Sequence, residues 1–123
     1  MAWSILLILA GLMGAAGVIL AAAGAHAAPN AGLESAAYLL LFHAVAVLAG
    51  TVLAQQALVW RPLGLAALIA WIVGAVLFAG DVTLRALAGH RLFPMAAPTG
   101  GLVLIAAWLL LVAAAVAAWM QRT

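Results

Sequence analysis

The chain contains no cysteine and no lysine, and its acids are two, Glu34 and Asp81. Without cysteine there can be no disulfide, no thiolate metal site and no thiol nucleophile. Charged residues make up 5% of the 123, against about 25% in a soluble globular domain, and that class is excluded. The four arginines stand apart from one another, so there is no basic face for nucleic acid. The pI of about 10.7 therefore reports the scarcity of acids and not a cationic surface. What the chain has in abundance is hydrocarbon. Hydrophobic residues are 72% of it and the mean hydropathy is +1.40, which excludes disorder.

A helix needs about 20 apolar residues to cross the hydrocarbon core of a bilayer. Charge-free windows run over residues 1–25, 35–60, 62–80 and 92–121. They predict an all-α integral membrane bundle of four transmembrane helices near residues 3–25, 35–58, 63–87 and 98–120, forming a single membrane domain. The breaks agree with turn chemistry: Pro29-Asn30-Ala31-Gly32, then Arg61-Pro62, then a stretch from Gly89 to Pro98 with two prolines. The windows are too long for strands and lack the alternation of a barrel. Trp3, Trp60 and Trp119 all fall at one membrane face, where an apolar ring with one N–H is at home.

Ala25-His26-Ala27 has the small-x-small form of a signal-peptidase site, but no Lys or Arg precedes the apolar run and the run is too long for a signal core. The first span is expected to be retained. Arg61, Arg122 and the amino terminus share one side, Arg85 and Arg91 the other. With Arg85 partly inside the third helix, the count places both termini in the cytoplasm.

Alternating spans bring His26, Glu34, Asp81, Arg85, His90 and Arg91 to one face. His43 lies on the same side, roughly 12–14 Å into the second helix. The opposite face has only Gln55, Gln56, Arg61, Gln121 and Arg122 with the tryptophans, so any chemistry is expected on the first. His26, His43 and Asp81 are a candidate intramembrane polar cluster, because charges inside a membrane are costly and mark pathways. Asp81 and Arg85, four residues apart with the acid first, also suit a simple interfacial ion pair. His43 suits a neutral ring hydrogen-bonded across helices. Haem would need a second histidine at the same depth, and zinc a pair at i,i+3 or i,i+4; neither pattern occurs, so no metal and no cofactor is expected.

The segment from Gly89 to Gly101 is an apolar connector followed by a helix start, with Pro98 in a first turn and Gly100-Gly101 free to let backbone approach closely. A helix N-terminus beside cations is a candidate anion site. Arg85, His90, Arg91, Thr99 and Gly100 are accordingly candidates for binding a lipid phosphate. Small residues mark further helix contacts: Gly11, Gly14 and Gly17 in the first span; Ala46, Gly50 and Ala54 in line with His43; Ala70 and Gly74 in the third.

Gly24-Ala25-His26, Phe42-His43-Ala44, Phe78-Ala79-Gly80-Asp81 and Pro98-Thr99-Gly100-Gly101 occur in an order that resembles the YgdD-like family of small bacterial inner-membrane proteins, a family of unknown function (DUF423). The resemblance covers nearly the whole chain, although Ala21-Ala22-Ala23 stands where many relatives carry a phenylalanine. It implies a four-span protein of the bacterial inner membrane and brings no catalytic or binding residue with it.

With almost no mass outside the membrane and no nucleophile–base pair, the expected function is not enzymatic. It is a lipid-binding protein, or an accessory or scaffold component of a larger membrane complex, with membrane lipids, complex subunits or further copies of itself as partners. The alternative is a small oligomeric transporter or channel using Asp81 and His43. A quinone- or haem-handling role is a weaker third reading.

Overall fold

In lipid, a chain with so few polar side chains must satisfy its backbone groups internally, and a helix does so within each span. The computed structural model describes residues 1–26 and 32–123. It contains α1 (Ala2–His26), α2 (Leu33–Gln55), α3 (Arg61–Ala88) and α4 (Ala96–Arg122), with no strand among the described residues. All four are long and apolar enough to cross a membrane, which makes the chain an all-α, multi-pass membrane protein. Ala27 and the Pro29-Asn30-Ala31 part of the first turn lie outside the described residues.

The helices alternate in direction. A Cβ placed on Gly17 would meet Leu41 while one on Gly14 would meet Ala44; Gly50 faces Leu68 and Trp71, and Gly64 faces Ala54; Gly74 and Gly100 face each other. Each helix packs on its neighbours in sequence, α1 touches α3 briefly, and α1 and α4 do not meet among the described residues. The bundle is therefore open on one side. Half of the most apolar window of α2 is buried and 39% of that of α3, against 22% for α1 and for α4. The inner pair holds the core around Val47, Leu68, Trp71 and Ala75, and the outer pair presents side chains such as Ile8, Ile19, Ile105 and Leu109 to lipid. Lipid tails are as apolar as leucine, so close packing of small residues, and not apolar burial, holds these helices together.

At the tryptophan face the ends are tied to one another. The Trp60 amide donates to Ala114 O (2.9 Å), Arg61 Nε to Ala54 O (3.4 Å), and the Arg122 guanidinium to Ala57 O. The Arg61 guanidinium also lies 6.0 Å from the centre of the Trp3 ring, a cation–π distance.

Sequence pattern carries α2 on to residue 58, but the helix stops at Gln55. Leu58 N–H bonds Leu53 O (3.0 Å) and Ala57 N–H bonds Ala54 O (3.2 Å), the paired bonds of a Schellman end. That end requires a left-handed residue, and Ala57 takes the place with φ 57° where glycine is usual. An alanine gives no turn signal, so the stop is invisible in the sequence. Ala57→Gly is expected to raise stability by about 1 kcal/mol, since a left-handed alanine carries a steric cost of that size. Thermal unfolding in detergent checks this, and a lower midpoint than wild type would contradict it. At the other end of the chain, α4 starts two residues before Pro98, which occupies the first turn, after Met95 at φ 68°.

Candidate functional site

Asp81 is a fully buried acid on α3, near the end of the helix opposite the tryptophan face. Its Oδ1 accepts the backbone N–H of Leu92 (3.0 Å), eleven residues further on, and its Oδ2 lies 3.5 Å from Arg85 Nε. The aspartate thus fastens the connector between α3 and α4 to the wall of α3. An unpaired buried carboxylate would be costly, and here an amide and a guanidinium share that charge. Arg85 is itself 41% exposed and can extend toward the headgroups. The connector leaves α3 through Gly89 at φ 78°. It carries exposed His90, whose Nδ1 is 3.3 Å from Arg91 O, then exposed Arg91, Leu92 and Phe93.

The start of α4 offers fewer free amides than its sequence suggests. Ala96 N–H already bonds Phe93 O (3.2 Å), Thr99 N–H bonds Met95 O (2.9 Å), and Pro98 has no N–H to give. Thr99 is exposed. Gly100 is buried and turned to α3: a Cβ there would come within 2.8 Å of Gly74 O and of Phe78 N. Its small size serves backbone-to-backbone contact. Gly101 beside it faces open space.

The third polar group is at mid-membrane. His43 and Trp108 stand near the centres of α2 and α4, and Trp71 of α3 packs on the Trp108 ring. Trp108 Nε1–H donates to His43 Nε2 (3.2 Å), and His43 Nδ1 is 2.7 Å from Leu39 O. Indole nitrogen only donates and a carbonyl only accepts, so the two bonds assign one neutral tautomer, with the proton on Nδ1. Trp108 also tilts against Trp71, centroids 4.6 Å apart. Trp71 is fully buried and its Nε1 has no partner among the described residues. No hydrogen bond or ion pair joins His26, His43 and Asp81 to one another among the described residues; His26 is exposed at the end of α1. The three are not brought together: His43 lies at mid-depth, while Asp81 and His26 stand separately toward the face opposite the tryptophan face.

Because α4 stays away from α1, the contact side of α1 and α3 is left partly uncovered. A groove of about 620 Å³ runs there, lined by Leu9, Leu12, Ala16 and Leu20 of α1, Ile72, Val76, Gly80 and Thr83 of α3, and Leu40 of α2. Leu92 lines its connector end, where the backbone is held by the Asp81 bond to the Leu92 amide. Thr83 is the single polar side chain in the lining.

The family profile described as Protein of unknown function (DUF423) matches residues 20–101, two thirds of the chain. The chain belongs to the DUF423 family. No curated protein matches it, and no solved structure does. The matched region of this DUF423 protein contains His43, Trp71, Asp81, Thr83, Arg85 and the whole connector. Trp108 and residues 2–19 of α1, with Leu9, Leu12 and Ala16 of the groove, lie outside it.

Two features of the DUF423 chain escaped the sequence reading. One is the partner of His43. Trp71 and Trp108 sit in the middle of spans, away from the interfaces that tryptophan prefers, and that displacement was the available signal. The other is the groove, which no local pattern announces: apart from Thr83, its walls are apolar side chains of the kinds found on every face of these helices.

Proposed function

We propose that this chain is a non-catalytic lipid-binding protein of the bacterial inner membrane that holds one lipid tail in the groove between α1 and α3, with the headgroup beside His90 and Arg91. The observation that carries the reading is the groove itself. Its lining extends from Leu9 to Leu20 on α1 and from Ile72 to Leu87 on α3. At 1.5 Å per residue that is roughly 17–22 Å along the membrane normal, enough to span the roughly 15 Å that one leaflet contributes to a hydrocarbon core about 30 Å thick. A volume near 620 Å³ is within the range of about 300–1,000 Å³ found for small-molecule sites. Its connector end lies near Arg91, which has no acidic partner among the described residues and can meet a phosphate.

A cytoplasmic position for both termini fits the same reading. Arg61, Arg122 and the amino terminus share the tryptophan face, and of the two arginines on the other side Arg85 lies within α3, which leaves Arg91 alone in the connector. Transport through Asp81 and His43 draws less support, because both carboxylate oxygens and both ring nitrogens already have partners in the chain.

Native mass spectrometry of protein extracted mildly from its own membranes tests the proposal. The wild type is expected to carry one phospholipid mass, and Ala16→Phe, which fills the groove from α1, is expected to carry none at an unchanged unfolding midpoint. A wild type that emerges bare, or an Ala16→Phe variant with the same lipid load, would sink it. Recovery with other named subunits and no lipid would replace it with the accessory-subunit role.

A further inference from the structure

Thr83 has a hydroxyl oxygen that is buried and lacks any hydrogen-bond partner among the described residues. The other threonine on the inner helices behaves differently: Thr51 on α2 donates to Val47 O one turn back, at 2.7 Å. Thr83 makes no such bond to Ala79, although helical threonines commonly do. An unsatisfied buried hydroxyl in a native site asks for an acceptor from elsewhere.

Its depth says which acceptor. α3 has 28 residues and so a length of roughly 42 Å, which matches a bilayer of about 40–45 Å including the headgroups. The hydrocarbon boundary then lies about 6 Å inside each end of the helix. Thr83 precedes Ala88, the last residue of α3, by five positions, or roughly 7–8 Å. It stands at the level where the tails of a glycerolipid join their ester groups. It is also a wall of the groove, with Gly80 one turn deeper leaving room beneath it, and a helical threonine has two χ1 wells through which the hydroxyl can turn to a guest.

We propose that Thr83 donates a hydrogen bond to an ester carbonyl of a glycerolipid whose tail occupies the α1/α3 groove, so that the site selects ester-linked over ether-linked lipids. This rests on the lipid-binding reading above and specifies the ligand class it takes. Ester carbonyls accept hydrogen bonds well, whereas a dialkyl lipid has no carbonyl to offer at that depth.

The test loads the purified full chain with equimolar diacyl and dialkyl phosphatidylglycerol of equal tail length and counts retained lipid by native mass spectrometry. The wild type is expected to retain the diacyl form in about three- to tenfold excess, the range one hydrogen bond supports. Thr83→Val keeps the side-chain shape and should bring the ratio to about one without loss of total lipid; Thr83→Ser should keep the preference. Equal retention by the wild type, or an undiminished preference in Thr83→Val, overturns this proposal and leaves lipid binding in place. Failure of the wild type to retain either lipid overturns both.

Discussion

Gly100→Ala is expected to destabilise the bundle by about 2 kcal/mol or more, even though alanine is the better helix former. The added methyl would lie 2.8 Å from Gly74 O and 2.8 Å from Phe78 N, both backbone atoms that cannot turn aside. α3 and α4 would have to separate along their whole contact. The reciprocal position is as tight, with a Cβ on Gly74 falling 3.0 Å from Gly100 O. In a membrane protein such close approach is the main source of helix association, so its loss is not offset by apolar burial. Gly101→Ala is the control: nothing lies within 4 Å of its Cβ position, and its stability should be unchanged or higher. Thermal unfolding followed by tryptophan fluorescence distinguishes the two. An unfolding midpoint for Gly100→Ala equal to wild type would refute the packing argument.

Asp81→Ala should free the connector. The substitution leaves the Leu92 amide without its acceptor and Arg85 without its counter-charge. Arg85 is partly exposed and can turn to the headgroups, so the ion pair adds little, and the lost amide bond dominates. A local cost of about 2 kcal/mol corresponds to roughly 30-fold faster hydrogen exchange at Leu92. Asp81→Asn keeps an acceptor oxygen at nearly the same place and should retain most of the protection. If Asp81→Ala exchanges at the wild-type rate, the connector is held by something else. The same variant bears on the groove, because Leu92 forms its connector end.

The interfacial pair of Asp81 and Arg85 was readable from a four-residue spacing on one helix. The acceptor role of Asp81 toward Leu92 was not, because it joins positions eleven apart across a turn whose course local pattern leaves open. The connector was recognisable as unusual, but its cations and its helix start do not form the expected anion site as one unit. Thr99 faces outward, Gly100 faces α3, and two of the first amides are used within the turn. Close backbone approach at Gly100 was foreseen for the pair of glycines; the fold uses one of the two.

The number of spans, their approximate places, their alternation and the face on which the tryptophans lie are legible along the chain. Each follows from where charge is absent and where proline, glycine and arginine interrupt, which are properties read along one dimension. Which side of each helix turns inward emerges only when the helices pack. These spans are apolar all round, so rotation about the helix axis changes little in transfer free energy, and contacts between small residues settle it. From that rotation come the Trp108 partner of His43, the unpaired hydroxyl of Thr83 and the open groove between α1 and α3.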